Sequence, residues 1–116
     1  MEGRGNQLKD SVVVKTEALA PMGINESQTI VEALVRARAD LAKRLGVEEV
    51  EILEGSVEQT EFPDAALGAP LSGEMSAQMM TPGWRIRLDA QNRTYEYRAA
   101  GKQLRLYNFN GKNYRT

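Results

Sequence analysis

The sequence predicts an α+β domain in which one long helix packs on a curled antiparallel sheet of four to five strands. Three observations carry that prediction. Ile30, Leu34, Ala37, Leu41 and Leu45 recur at helical spacing, with Val31, Val35 and Ala42 beside them. Downstream, apolar and polar residues alternate in short runs divided by turn residues, the pattern of half-buried antiparallel strands. Between the two lies a long segment, 62–84, holding Pro63, Pro70 and Pro82. Proline fixes its own φ and holds the preceding residue extended, so this segment is neither a helix nor a central strand.

At 116 residues, with 41% apolar and 27% charged side chains, the chain has the length and composition of one globular domain. Residues 1–10 are polar and glycine-bearing and read as a flexible lead into a single domain over 11–116. Ser11-Val12-Val13-Val14-Lys15-Thr16 is short and β-branched, a candidate edge strand, and Pro21-Met22-Gly23 breaks the chain after it. The helix is expected over 27–45, with Asn25 or Ser27 as its cap. Gly46 and Val47 supply the left-handed ending and its apolar contact.

Residues 47–61 read as a long strand bulged at Gly55. Trp84, Ile86 and Leu88 alternate with Arg85, Arg87 and Asp89. Gln91-Asn92-Arg93 turns the chain, Thr94–Arg98 alternates again, Ala100-Gly101-Lys102 turns it back, and Leu104 and Leu106 continue the buried face. Asn110-Gly111 is a type I′ hairpin signal, because that turn needs φ > 0 at both central positions. A two-residue loop there sets Tyr107 opposite Tyr114. Trp84 is expected to anchor the sheet on the helix through Leu34 or Leu41. Met75, Met79 and Met80 are expected to fill core space, with an adaptable binding surface as the other reading.

The chain has no histidine and no cysteine. That removes the disulfide framework, the usual zinc sites, a thiol nucleophile and the Ser-His-Asp triad. No side chain titrates near neutrality unperturbed, so the expected class is non-catalytic, with no cofactor and no metal. The carboxylate pairs that would argue otherwise are Glu58 with Glu61, or Asp64 with Glu74. Ordinary exposed glutamates and a turn-forming Asp64 explain both. No apolar run reaches membrane-spanning length and the first residues lack a signal-peptide core, so the expected compartment is the cytoplasm, the alternative an exported form.

The run Phe62-Pro63-Asp64-Ala65-Ala66-Leu67-Gly68-Ala69-Pro70, followed by Thr81-Pro82-Gly83-Trp84-Arg85-Ile86, resembles a family of small bacterial domains. That family carries an aromatic-Pro-Asp-x-x-Leu-Gly-Cys-Pro loop and a Thr-Pro-Gly-aromatic-Arg-Ile strand, and no activity is attached to it. Tyr95-Glu96-Tyr97, Ala39–Ala42 and Arg44–Val47 fit the same pattern, so the resemblance spans roughly 35–106. It implies a shared small α+β fold. Ala69 stands where the family implies cysteine, and no second cysteine occurs near Leu106-Tyr107, which suits a disulfide lost as a unit. A helix held by an antiparallel sheet is also similar to the layout of cystatin-like and PepSY-like domains, an analogy of fold alone. The inhibitor signature Gln-x-Val-x-Gly is missing.

Charge divides the chain. Residues 47–61 carry Glu48, Glu49, Glu51, Glu54, Glu58 and Glu61 with no basic residue, while Trp84 onward is dominated by arginine and lysine. Acidic and basic strands that neighbour each other pair across the solvent face. The function expected is a protein- or peptide-binding module that uses the 62–84 loop and a sheet edge, with a protease-inhibitor-like domain as its specific form. Its candidate binding residues are Phe62, Pro63, Asp64, Leu67, Pro70, Pro82, Gly83 and Trp84, and an open edge strand also suits a homodimer. The alternative is a nucleic-acid face of Arg85, Arg87, Arg98, Arg105, Tyr107 and Lys112, against which the net charge of −1 weighs.

Overall fold

The computed structural model describes the backbone of residues 24–116 and the side chains of 30–116. One helix precedes a five-stranded antiparallel meander: α1 (Ile24–Leu45), then β1 (Leu53–Phe62), β2 (Thr81–Ala90), β3 (Arg93–Ala100), β4 (Gln103–Phe109) and β5 (Lys112–Arg115). The strands lie in sequence order and the sheet is open. The candidate edge strand Ser11–Thr16 lies outside the described residues.

Helix α1 buries the stripe that its spacing implies. Ile30, Ala33, Leu34, Ala37 and Leu41 pack in one core with Val57, Trp84, Ile86, Leu88, Tyr97, Leu104 and Leu106 from the sheet. Trp84 belongs to this core, as an anchor for the sheet. Asn25 and Ser27 fall inside the helix, so neither is its cap. The C-terminus ends as its sequence implies: Gly46 takes φ +71°, and the amides of Gly46 and Val47 both donate to the Ala42 carbonyl, at 2.8 and 3.0 Å. Val47 packs on the core beside them.

The segment expected as one long strand from 47 differs at its start. Glu49–Glu51 form a single 3-10 turn, and β1 begins only at Leu53. The amides of Glu51 and Ile52 bond back to the Glu48 and Glu49 carbonyls, which turns Ile52 inward while Val50 stays in solvent. The β1 register shifts between Glu54 and Ser56, so the bulge does sit at Gly55. A side chain there would meet the Arg87 carbonyl at 3.0 Å.

Two-residue turns at Gln91-Asn92 and Asn110-Gly111 hold φ > 0 at both positions, as the type I′ geometry requires. The last hairpin departs from the expected pairing. Asn108 adopts φ +52°, the ladder slips between Leu106 and Phe109, and Tyr114 faces Leu106 rather than Tyr107. The Asn113 side-chain oxygen accepts the Asn108 amide at 2.8 Å, which holds this bulge closed. Tyr114 meets Phe109 edge-on instead, at 6.0 Å between ring centroids.

Candidate functional site

Strand alternation sends one side-chain set to the helix and the other to the opposite face. On that opposite face, register aligns Glu58, Arg85, Arg98, Arg105 and Arg115 in one row across all five strands. Four arginines directly opposite one another repel, so the row needs acceptors. Glu96 supplies one carboxylate to three of the neighbouring guanidinium groups: Arg98 Nε at 2.8 Å, Arg85 Nε at 3.2 Å and Arg87 Nε at 3.5 Å. Glu58 adds a longer contact to Arg85, at 3.7 Å.

The 62–80 loop supplies the rest. Arg98 Nη1 donates to the carbonyls of Leu67 and Gly68, at 3.0 and 3.1 Å. Arg105 donates through Nη1 to the Ala69 carbonyl at 3.1 Å, and grips Glu74 with both terminal nitrogens at 2.6 and 2.7 Å. Gln103 and Asn113 hold the Ala65 and Pro70 carbonyls from either side. The loop is therefore a strap laid across the arginine row, with its main-chain oxygens turned down as ligands. Arg105 is 3% exposed beneath it. The Arg105 guanidinium and the Leu71 amide together hold the Glu74 carboxyl down to about 2, well below its ordinary value of 4.5.

The strap's own sequence sets its shape. Asp64 accepts the amides of Ala66 and Gly68, both at 3.0 Å, the local capping expected of an aspartate after proline. Leu67 and Gly68 then take φ +60° and +65°, which turns successive carbonyls toward the sheet. Phe62, Ala66, Leu67 and Ala69 are all buried to within 1% and make a small apolar cluster apart from the main core. Arg98 and Arg85 lie over the Phe62 ring at 5.4 and 5.9 Å, and Arg98 stacks on Tyr107 at 3.7 Å.

This geometry divides the candidate residues. Phe62, Leu67, Gly83 and Trp84 are buried and offer no contact surface: Phe62 and Leu67 belong to the strap's own apolar cluster, Gly83 lies within β2, and Trp84 packs in the main core on the helix side. Gly83 has a steric reason to be glycine, since a Cβ there would lie 2.2 Å from the Ala99 carbonyl oxygen. Pro63, Pro70 and Pro82 remain exposed, and Asp64 is half-buried. Of the proposed nucleic-acid face, Arg98 and Arg105 lie under the strap, while Arg85 and Arg87 share Glu96; Lys112 sits apart on β5.

The three methionines overturn the core-filling expectation. Met75, Met79 and Met80 are 93%, 57% and 60% exposed on the outer side of the strap. The buried volume is already taken by Phe62, Leu67 and the stems of the arginines. Two carboxylates hold the row together: Glu74, which the sequence offers only as a partner for Asp64, and Glu96, to which sequence reading assigns no charge role. Their signal was present as parity: Glu96 shares a strand face with Arg98.

Behind the sheet, a polar contact locks helix to strand. Tyr97 Oη donates to Asp40 Oδ2 at 2.7 Å, and Arg44 Nε reaches the same oxygen at 2.7 Å. Burial first, and then the Asp40 hydrogen bond, push the Tyr97 hydroxyl well above its ordinary value of 10. Arg36 crosses to the Lys102 and Thr116 carbonyls at 2.9 and 3.2 Å. Among the described residues no acidic cluster is arranged to hold a metal ion, and no helix is long and apolar enough to cross a membrane.

No curated protein and no solved structure matches the chain. One family model does, over residues 34–107, from the middle of α1 to the end of the arginine-bearing part of β4. That span contains the whole strap, Arg98 and Arg105 that hold it from β3 and β4, and Glu96, and it exceeds half of the sequence: the chain belongs to the family described as Domain of unknown function (DUF8738).

Proposed function

We infer that this domain is a non-catalytic protein- or peptide-binding module whose contact surface is the outer side of the strap. The observation that carries this reading is the contrast between the strap's two sides. Its underside is fixed by at least five side-chain bonds from β3, β4 and β5, while its outer side exposes Met75, Met79 and Met80. Methionine is flexible and polarisable, and methionines grouped in solvent on a rigid support suit an adaptable apolar contact. The β1 edge beside it carries Glu54, Glu58 and Glu61, so an extended partner added there would present basic side chains. Those same acidic residues oppose self-pairing of β1 in a homodimer.

The helix followed by an antiparallel meander supports a cystatin-like arrangement as the structural form of this module. The non-catalytic reading rests on the fate of the carboxylates. Asp64 is spent on Ala66 and Gly68, and Glu74 on Arg105. Glu58 and Glu61 point to opposite faces of β1 by strand parity. The nucleic-acid reading loses Arg98 and Arg105 to the strap.

Replacing Met75, Met79 and Met80 together with glutamine tests the proposal, because all three are exposed and the fold does not depend on them. Partners captured by the wild-type domain should be lost by the variant at unchanged thermal stability. Identical capture by both would remove the reading.

A further inference from the structure

The sheet comes apart between β3 and β4 at one end. The β3–β4 ladder stops at the pair Glu96–Tyr107, yet β3 continues back to Arg93 paired only with β2. On β4 the left-handed Asn108 swings the strand toward β5. The two strands therefore diverge around a cleft of about 370 Å³, within the range of small-ligand sites.

The hydrogen-bonding direction of β3 follows from its turns. A two-residue turn joins Ala90 to Arg93 and another joins Ala100 to Gln103. In antiparallel strands the closing pair of such a turn is hydrogen-bonded, and directions alternate from there. Arg93, Tyr95 and Tyr97 thus turn their main-chain groups to β2, and Thr94, Glu96 and Arg98 turn theirs to β4. Glu96 finds Tyr107. Thr94 finds no β4 partner, so its N–H and C=O face the cleft.

The side chains around that pair complete a site of definite polarity. Tyr95 and Phe109 close one wall, their rings 5.9 Å apart. Tyr107 and Glu96 form the inner end, where Arg85, Arg87 and Arg98 are already engaged by Glu96. Arg93 stands at the outer end with no ion pair or hydrogen bond among the described residues.

We propose that this cleft binds the carboxyl-terminal residues of an extended peptide. One ligand residue pairs its main chain with Thr94, an apolar side chain lies on Tyr95 and Phe109, and the terminal carboxylate meets Arg93. The carboxylate sits at the Arg93 end, because Arg93 lines the cleft without an anionic partner among the described residues, whereas the arginines near the other end already share Glu96. The site shares no residue with the methionine surface and stands independently of it.

Titration of the isotope-labelled full chain with a pool of N-acetylated tetrapeptides, randomised over apolar residues at the last two positions, tests this. At about 1 mM peptide the free-acid pool should shift the amides of Thr94, Tyr95, Asn108 and Phe109. The same pool as carboxamides should bind about tenfold more weakly, and Arg93→Gln should erase that difference without altering the rest of the spectrum. Equal shifts from acid and carboxamide, no shift in this cleft, or shifts confined to Met75–Met80 would each overturn the proposal.

Discussion

Cutting the Arg105–Glu74 contact should loosen the strap by an amount that the geometry sets. Arg105 is 3% exposed and makes a two-pronged contact at 2.6 and 2.7 Å with a carboxylate that is itself 21% exposed. Arg105→Met removes both bonds and orphans the Ala69 carbonyl, a cost of about 3–4 kcal/mol. Glu74→Gln leaves the guanidinium buried without its anion, for about 3 kcal/mol. The double variant has neither an orphan charge nor a broken pair, so the two costs do not add. A double-mutant cycle from urea denaturation at pH 7 should therefore give a coupling of about 2–3 kcal/mol. A coupling below about 0.5 kcal/mol, the value of an exposed ion pair, would refute the idea that this contact fastens the strap.

Further outcomes follow from the same contacts. Because Glu74 is held at about 2 in the folded domain against an ordinary 4.5, its contribution is complete above pH 4.5. It is lost as pH falls toward 2, and the coupling measured in the cycle should shrink over that window. Tyr97 is shifted the other way, its folded value raised above the ordinary 10, so its contribution holds below pH 10 and is lost as alkali ionises the unfolded chain; a stability profile from pH 8 to 11 should fall, and Tyr97→Phe should flatten it. That same substitution should cost about 1–2 kcal/mol at pH 7, seen as a lower urea midpoint, because Asp40 keeps Arg44. Gly83→Ala drives a methyl into the Ala99 carbonyl at 2.2 Å and should cost at least about 1–3 kcal/mol by thermal unfolding, whereas Gly73→Ala meets nothing within 4 Å and pays only for its φ of +79°.

The helix, its glycine ending, the bulge at Gly55 and the meander were legible because each is written in local pattern. Spacing places Ile30 to Leu41 on one stripe, and Asn110-Gly111 dictates its own turn. The arginine row was legible in principle too: two-residue turns at 91–92 and 101–102 fix Arg85 against Arg98 and Arg98 against Arg105. Its meaning was not. Arg98 and Arg105 reach carbonyls thirty or more positions away, and main-chain oxygens leave no mark in the identity of Leu67, Gly68 or Ala69. Apolar character misled at Met75, Met79 and Met80, since hydropathy cannot tell whether a loop has room beneath it. At Tyr114 a single left-handed residue, Asn108, slipped the register by one and undid a pairing inferred from an ideal hairpin.

Amide hydrogen exchange at Leu67, Gly68 and Ala69 tests the docked strap most directly, because these amides bond only within the strap, to Asp64 and Ala66. If the arginine row fastens the strap, they exchange nearly as slowly as the amides of β3, and Arg105→Met speeds them while the β3 amides stay slow. Exchange at the rate of an open loop in the wild-type domain would contradict it.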